Sequence, residues 1–225
     1  MFGRDCWWGR CSFCSWTTLY PGKCYRTVKP QKALDEIGWL IEKYQIKEIM
    51  DDSGTFPIGP WLQEFCQGMI KRGYHKKIKL NCNLRFNSGL NQKDYQLMAQ
   101  AGFRLILYGL ESANQKTLDK LNKNLKINMI EKNLAWAKKA GLNPHLTVMV
   151  GYPWETKQDI LKTLNFVRKL FKKDLVDSLQ ATLVIPYPGT PLFTKAKKNG
   201  WLKTEDWDKY DMRQSVLKTP LTDEE

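Results

Sequence analysis

The chain has 225 residues, of which 42% are hydrophobic and 26% are charged, so it is long and apolar enough to bury one sizeable core. This composition excludes a disordered or fibrous protein. The net charge of +13 is spread over many segments rather than collected in one block. Such a distribution is typical of a solvated surface, although it also suits an anionic partner such as a nucleotide cofactor, RNA or an anionic lipid surface.

No segment of the sequence predicts a membrane span or an export signal. The longest stretch without charge, LQATLVIPYPGTPLF, is broken by three prolines, and the opening residues MFGRDC lack the apolar run of a signal peptide. We therefore expect a protein of the reducing cytoplasm, in which the six cysteines stay free thiols.

Three cysteines lie close together at the start of the chain, in GRDCWWGRCSFCSW. Cys6, Cys11 and Cys14 can bind one metal centre, and thiolates select zinc, copper(I) or iron with sulfide. A structural zinc site needs a fourth ligand, for which the nearest thiol is Cys24. A [4Fe-4S] cluster held by three cysteines instead leaves one iron open to a further ligand. Four nearby aromatic residues suit either shielding of this centre or ordinary core packing: Trp7, Trp8, Phe13 and Trp16.

After the cysteine loop, strand-like and helical segments alternate about every thirty residues, which is the spacing of a strand with its crossover helix. This rhythm predicts parallel strands, with the sequences IKEIMDD, KIKLNCNLRF, FRLILYGLE, NPHLTVMVGYP and SLQATLVIPYP. Together they predict an α/β fold, a partial parallel (β/α)6 TIM-like barrel over residues 1–198. Residues 199–225 are expected to form a C-terminal extension.

Two of the intervening segments have the apolar periodicity of helices with one buried face. In ALDEIGWLIEKY the predicted buried positions are Leu34, Ile37, Leu40, Ile41 and Tyr44. In ILKTLNFVRKLF they are Ile160, Leu164, Val167 and Phe171. Thr156 with Asp159, and Ser112 with Gln115, have the spacing of capping boxes, and Pro60 suits the first turn of a further helix.

The strand KIKLNCNLRF alternates apolar residues with Lys79, Asn81, Asn83 and Arg85. The apolar face should pack on helices, and the polar face should then line the barrel interior. Two later strands repeat this polar pattern, with His145 and Thr147 on one and Gln180 and Thr182 on the next. We therefore expect a polar binding cavity, whose rim is formed where the strands end in DDSGTF, NLRFN, GLES, GYPWET and PYPGTP.

These motifs together resemble those of the radical S-adenosylmethionine superfamily. CWWGRCSFC is similar to its cluster loop, usually written C, three residues, C, two residues, C, although the first gap here is four residues. DDSGTF resembles its methionine segment, GLES its ribose segment and VMVGYPWET its adenine segment, while PYPGTPLF resembles the cobalamin-associated branch of porphyrin-ring cyclases and hopanoid methylases. In that branch a first strand and a cobalamin-binding domain precede the cluster loop. The resemblance thus implies a barrel fragment without its first strand.

The resemblance also implies a role for each matching residue. Cys6, Cys11 and Cys14 would hold a [4Fe-4S] cluster whose open iron binds the amino and carboxylate groups of S-adenosylmethionine. The remaining expected contacts are Asp52, Ser53 and Thr55 to the methionine ammonium, Arg85 to a carboxylate, Glu111 to the ribose hydroxyls, and Val150, Gly151 and Tyr152 to the adenine. Judged from the residues alone, DSGT is also a good turn, Arg85 suits an ion pair and Glu111 suits a helix start.

The function implied is reductive cleavage of S-adenosylmethionine to a 5′-deoxyadenosyl radical, which takes hydrogen from a small organic substrate. Cobalamin held by a domain outside this chain would extend the reaction to methylation or cyclisation, and an electron donor such as flavodoxin or ferredoxin would reduce the cluster. Two alternatives stay open. One is RNA modification, which the charge of +13 permits without requiring; the other is a zinc-stabilised binding module using Cys6, Cys11, Cys14 and Cys24.

Overall fold

A computed structural model describes residues 1–19 and 25–222 of the chain. The strands in chain order are β1 (Gly3–Arg4), β2 (Arg26–Thr27), β3 (Glu48–Asp51), β4 (Lys79–Leu84), β5 (Phe103–Glu111), β6 (Asn143–Val150) and β7 (Ser178–Leu183). The α-helices are α1 (Pro30–Tyr44), α2 (Pro60–Lys71), α3 (Gln92–Gln100), α4 (Gln115–Lys120), α5 (Ile130–Lys139), α6 (Lys157–Lys172) and α7 (Pro191–Lys198). Short 3₁₀ turns cover Ser15–Thr17, Tyr74–Lys76, Ile127–Met129 and Trp207–Lys209.

The strands from β3 to β7 form one parallel sheet in chain order, with at least one helix between each strand and the next. This is the topology of repeated βα units, and it confirms the predicted partial barrel. The two short strands β1 and β2 pair with each other antiparallel and stand apart from this sheet. The five parallel strands therefore follow one another in the order expected of a partial (β/α) barrel.

The two faces of the sheet differ as the sequence predicts. On the outer face Leu80, Cys82 and Leu84 of β4 are buried in the main core, which the helices cover. On the inner face the strand register aligns Asn83, Leu107, His145 and Ser178 in one row across β4 to β7. These four side chains are half-buried, and the His145 Nδ1 atom lies 2.8 Å from the Ser178 hydroxyl. The inner face is thus a polar surface with access to solvent.

Several local predictions are confirmed. The strand FRLILYGLE has the bounds of β5, and Pro60 begins α2. The Thr156 and Asp159 side chains form the predicted capping box at the start of α6. The other strands are shorter than predicted, because hydrogen-bonded pairing of β4, for example, stops at Leu84. Arg85 consequently lies in the loop that follows the strand.

Three other local predictions are wrong. Tyr44 at the end of α1 is 55% exposed and packs edge-on against Trp39, while Ala33 and Gly38 are buried. In α6 the buried residues are Thr163, Val167 and Leu170, so the predicted face is rotated and Leu164 and Phe171 are exposed. Thr163 can be buried because its hydroxyl oxygen accepts a hydrogen bond from Ala113 N. Asn114, not Ser112, caps α4.

The described part of the C-terminal extension folds back onto the sheet. Leu202 and Leu217 form an antiparallel bridge, and the buried Leu217 packs with Tyr152 and Val184 beside the ends of β6 and β7. The domain boundary at residue 198 remains a prediction. Among the described residues, no helix has the length and apolar character that a bilayer crossing requires.

Candidate functional site

The cysteine loop lies at the edge of the sheet where the parallel strands end. Cys11 is buried, Cys6 and Cys14 are half-buried, and none of these three cysteines is in a disulfide bond. Asp5 has a left-handed backbone, with φ of 76°, and its side chain accepts a hydrogen bond from Cys6 N. Burial, with smaller contributions from the charges of Cys11 and Cys6, raises the pKa of the Cys14 thiol to about 12. The three thiols are therefore close enough to interact electrostatically.

Arg85 provides a positive charge beside these thiols. Its Nη1 atom lies 3.5 Å from Cys11 Sγ, and its guanidinium lies 5.5 Å from the centre of the Trp7 ring and 5.1 Å from that of Trp8. Arg85 is itself buried, and its Nη2 atom donates to the Lys123 carbonyl. A buried cation in this place could compensate the negative charge of a cluster held by the three cysteines. The structure thus places Arg85 against the cysteine loop.

The segment Leu121–Asn124, which follows α4, holds the cysteine loop through its backbone. Leu121 O accepts from Ser12 N at 2.9 Å, and Asn122 O accepts from the Trp8 indole at 2.8 Å. Lys123 O accepts from Arg85, and Asn124 O accepts from the Asn87 side chain. Four consecutive carbonyls therefore bind the cysteine loop or the loop after β4. We call this segment the carbonyl bracket.

Glu111 lies at the end of β5 in a buried ion pair that the sequence does not predict. Its Oε1 atom is 2.7 Å from Lys123 Nζ, and the side chains of both residues are 8% exposed. Glu111 has a left-handed backbone, with φ of 65°, which is uncommon for a residue other than glycine. Gly109 makes room for the pair, since a Cβ atom there would overlap both charged groups. The local backbone is therefore adapted to this carboxylate.

The end of β3 and the loop that follows it are hydrogen-bonded to the start of the chain. The Asp51 carboxylate accepts from Phe2 N at 2.7 Å, and the Ser53 hydroxyl accepts from Gly3 N at 2.8 Å. A Cβ atom on Gly54 would lie 3.0 Å from Asp5 O, so glycine permits the close approach of this loop to the cysteine loop. Ser53 and Thr55 are buried, whereas Asp52 is exposed. The three residues expected to contact the methionine ammonium therefore differ in their environments.

The segments after β5 and β6 are joined by a polar network that is buried at Ser112 and Glu155. Ser112 donates to Glu155 at 2.8 Å, and the Asn114 side chain donates to Asp159 at 2.6 Å. Burial raises the pKa of Glu155, against the hydrogen bonds from Thr117 and Ser112 that lower it. The network fixes the predicted ribose and adenine segments relative to each other.

The predicted adenine residues are divided between a cleft and the interior. Val150 and Gly151 line a cleft of about 390 Å³, together with residues of α6 and the C-terminal extension. Gly151 has φ of 89°, a left-handed conformation that suits glycine. Tyr152 is fully buried and stacks on Trp154, and burial and the charge of Glu111 raise its pKa well above the usual range. The cleft and the ion pair thus flank Tyr152.

The residues present fit a cluster and an S-adenosyl ligand. Several polar atoms at this rim are buried without a hydrogen-bond partner among the described residues, and they include Thr55 Oγ1, Arg85 Nε and Tyr152 OH. Buried polar groups in proteins are nearly always satisfied, so unpaired ones indicate a binding site. The thiols of the cysteine loop, with Arg85 and Lys123 beside them, provide soft ligands and compensating positive charge.

A single-metal site has less support from the geometry. Within residues 1–19 and 25–222, no three His, Cys, Asp or Glu side chains converge on a position for one metal ion. A [4Fe-4S] cube spreads its ligands over different iron atoms, so its thiolates need not meet at one point. Cys24, the fourth ligand of the zinc alternative, lies outside the described residues.

The family model described as "Radical SAM superfamily" matches residues 1–167. The chain therefore belongs to the radical S-adenosylmethionine superfamily, which confirms the resemblance of its motifs. Membership of this family implies a [4Fe-4S] cluster and S-adenosylmethionine as cofactors. The individual contacts expected of Asp52, Ser53, Thr55, Arg85, Glu111, Val150, Gly151 and Tyr152 remain predictions.

Curated relatives are enzymes by name. An uncharacterised methyltransferase of Pyrococcus horikoshii is 30% identical over 208 residues, which are 92% of this chain and 44% of the relative. The anaerobic magnesium-protoporphyrin IX monomethyl ester cyclase of Cereibacter sphaeroides is 28% identical over 211 residues, covering 92% of this chain and 33% of the relative. The chain thus spans less than half the length of these two proteins.

A solved structure shows the same fold. The radical S-adenosylmethionine methyltransferase TsrM from Kitasatospora setae, solved with cobalamin and a [4Fe-4S] cluster, aligns with a TM-score of 0.76 and 16% identity. The alignment covers 91% of this chain and 40% of TsrM. At this identity the comparison establishes the fold of the barrel and leaves the reaction open.

Lys123 is a residue of the site that sequence reasoning does not find. It lies in the polar stretch LNKNLK, which is typical of a solvated loop. The only local signal is the pair Asn122 and Asn124, since asparagine is the residue that most readily replaces glycine in left-handed turns. Both have that conformation, with φ of 53° and 52°.

Proposed function

We propose that this chain is the catalytic barrel of a radical S-adenosylmethionine enzyme that methylates or cyclises a small organic substrate. The observation that carries the proposal is the position of Cys6, Cys11 and Cys14 beside the ends of the parallel strands, with the Arg85 cation against Cys11. When bound, the cluster and S-adenosylmethionine supply an electron and a 5′-deoxyadenosyl radical. The protein has to hold both cofactors in register and to exclude water.

The residues of the site divide this work. Cys6, Cys11 and Cys14 would bind three irons, and Arg85 would compensate the negative charge of the cluster. Glu111 would accept the ribose hydroxyls, because a carboxylate has more acceptor positions than Lys123 occupies. Val150 and Gly151 would contact the adenine at the mouth of the cleft. The polar inner face, with His145 and Ser178, would receive the substrate.

Cobalamin is the second cofactor that we propose, supplied by residues outside this chain. The resemblance of PYPGTPLF to the cobalamin-associated branch and the cobalamin named for TsrM support this assignment. Free thiols and an oxygen-sensitive cluster suit the reducing cytoplasm, where flavodoxin or ferredoxin would donate the electron. The exposed Arg10, which lies over the Trp8 ring on the cysteine loop, offers a contact for an acidic donor.

Anaerobic reconstitution with iron, sulfide, dithionite and S-adenosylmethionine tests the proposal. The unaltered protein should load about four iron and four sulfide per chain and form 5′-deoxyadenosine. Cys6→Ala, Cys11→Ala and Cys14→Ala should each abolish most of the product formation, because the cluster loses a ligand. Cys66→Ala is the matched control, since Cys66 is a free thiol buried in the core.

The outcomes separate the alternatives. Colourless protein with one zinc per chain would support the zinc-stabilised binding module instead. Turnover that survives replacement of any of the three cysteines would refute the proposal. If the proposal holds, adding cobalamin and measuring methyl transfer to the substrate by the full-length enzyme would distinguish methylation from cyclisation.

A further inference from the structure

Arg85 is a buried cation at this rim that has no carboxylate partner in the described part of the chain. It is 7% exposed, and within residues 1–19 and 25–222 no aspartate or glutamate forms an ion pair with it. A buried charge is costly unless an opposite charge compensates it, and contacts with aromatic rings recover only part of that cost. The burial of Arg85 therefore indicates an anion beside its guanidinium.

Three contacts fix the orientation of the Arg85 guanidinium. Its Nη2 atom donates to the Lys123 carbonyl of the carbonyl bracket. Its central carbon lies 5.5 Å from the centre of the Trp7 ring and 5.1 Å from that of Trp8. The bracket also holds Trp8, whose indole donates to Asn122 O at 2.8 Å. A planar guanidinium held in this way has little freedom to turn.

This orientation directs one end of the guanidinium at an expected ligand of the cluster. Its Nη1 atom lies 3.5 Å from the Sγ atom of Cys11, which is the most buried of the three cysteines. One-electron reduction adds a negative charge to the cluster and its thiolates. A buried cation at this distance stabilises the more negative, reduced form, and hydrogen bonds to the sulfurs act in the same direction.

Arg10 offers a comparison within the same loop. Its guanidinium also lies 5.1 Å from the centre of the Trp8 ring, but Arg10 is exposed. Water and salt screen the field of an exposed charge far more than that of a buried charge. Of the two arginines beside this ring, only Arg85 should therefore act strongly on the cluster.

We propose that Arg85 sets the reduction potential of the cluster, because its buried charge, directed at Cys11 Sγ by the carbonyl bracket, raises that potential. In this step one electron passes from a reduced donor protein, or from dithionite in vitro, to the cluster. The donor is oxidised by one electron, and no bond is formed or broken. The inference rests on the proposed function, and it gives Arg85 a role toward the cluster rather than toward a carboxylate of S-adenosylmethionine.

The midpoint potential of the cluster tests this role without turnover. Proteins reconstituted anaerobically to equal iron and sulfide content are titrated without S-adenosylmethionine, and electron paramagnetic resonance follows the reduced cluster. Arg85→Met should lower the equilibrium constant for reduction about tenfold, which is a fall of about 59 mV in potential. Arg85→Lys keeps a positive charge and should recover most of this shift. Arg10→Met is the matched control and should change the constant by less than about twofold.

Binding of S-adenosylhomocysteine separates this role from a direct contact with the ligand. Its affinity for the oxidised, reconstituted proteins is measured by equilibrium dialysis. In Arg85→Met the affinity should stay within about threefold of that of the unaltered protein, whereas loss of a charged hydrogen bond to the ligand would weaken binding about tenfold or more. A loss of that size would overturn the inference, because Arg85 would then bind the carboxylate.

An unchanged potential in cluster-loaded Arg85→Met would also overturn the inference while leaving the proposed function in place. An equal shift in Arg10→Met would do the same, because the effect would not depend on burial. If Arg85→Met does not load iron, Arg85→Gln, which keeps a donor for the Lys123 carbonyl, replaces it with the same expected shift. Failure of both variants to load iron would assign Arg85 to the folding of the cysteine loop and overturn the inference. Unaltered protein that forms no [4Fe-4S] cluster would overturn the proposed function as well.

Discussion

The two sides of the rim are built differently. Around the cysteine loop, the carbonyl bracket, Arg85 and the Glu111–Lys123 pair form a dense set of polar contacts, of which those of Arg85 and the ion pair are buried. At the ends of β6 and β7, the cleft is bordered by the exposed apolar side chains of Leu161 and Leu164 and by the C-terminal extension. The first side is ordered by many directional contacts, and the second by a few apolar ones.

This difference indicates how the two sides can serve one enzyme. Buried hydrogen bonds and ion pairs have narrow geometric limits, so they suit a cofactor whose position must not vary. An open apolar cleft accepts changes of shape at little cost in stability. We expect substitutions near the cysteine loop to lower both stability and cofactor binding, and substitutions in the cleft to have small effects on stability.

The buried ion pair gives the largest expected effect on stability. Lys123→Met leaves the Glu111 carboxylate buried without its partner, and we expect the free energy of unfolding to fall by about 3–5 kcal/mol. Urea unfolding followed by circular dichroism measures this change. Glu111→Gln combined with Lys123→Met should be less destabilising than Lys123→Met alone, and the reverse order would contradict a buried pair.

Two glycines allow the same comparison between the two sides. Gly109→Ala places a methyl group against Glu111 and Lys123, and we expect a loss of about 1–3 kcal/mol. In Gly151→Ala the new Cβ atom would have no neighbour closer than 3.7 Å. The variant should therefore lose only about 1 kcal/mol of unfolding free energy, because alanine disfavours the left-handed backbone at this position. Both are measured by urea unfolding. Equal losses would contradict the view that the cysteine-loop side is more tightly packed.

The fold could be predicted from local patterns, because each pattern acts through short-range physics. The alternation in KIKLNCNLRF fixed which face of β4 is buried, and the Thr156 and Asp159 spacing located the start of α6. The cysteine spacing and the strand-end motifs predicted the candidate site in the same way. These signals lie within a few residues of one another in the chain.

The contacts that complete the site could not be predicted in this way. Lys123 and Arg85 are 38 residues apart, and Glu111 pairs with Lys123 only because the loop after α4 folds back under the cysteine loop. The prediction of which face of α6 is buried was wrong for a related reason. Thr163 looks solvent-facing until Ala113 N, 50 residues away, is seen to donate to its hydroxyl. Such pairings depend on tertiary structure.

Glu155 lies between the two sides of the rim. Because its pKa is raised, we expect the stability of the protein to depend on pH. Burial raises its pKa in the folded state, so the folded protein binds this proton more tightly than the unfolded chain. Its stabilising contribution is present at acidic pH and is lost as the pH rises through the folded pKa. Glu155→Gln should therefore stabilise the protein at neutral pH by less than about 1 kcal/mol, since the hydrogen bonds from Thr117 and Ser112 offset part of the cost of burying the carboxylate.

Thermal unfolding at several pH values checks this expectation. The gain from Glu155→Gln should disappear as the pH falls toward about 4, where a carboxyl of ordinary pKa also becomes protonated in the unfolded chain. Glu36→Gln, at an exposed position of α1, is the control and should show no such trend. A gain that grows toward acidic pH would contradict the raised pKa.

The cleft gives the smallest expected effect and completes the comparison. Leu164 is 41% exposed beside Gly151, so Leu164→Ser removes little buried apolar surface. We expect the free energy of unfolding to change by no more than about 0.5 kcal/mol, as measured by urea unfolding. Val167→Ser on the buried face of the same helix is the matched control and should cost several times more. If the two variants are equally destabilised, α6 is covered on both faces, and the contrast between the two sides of the rim fails at this helix.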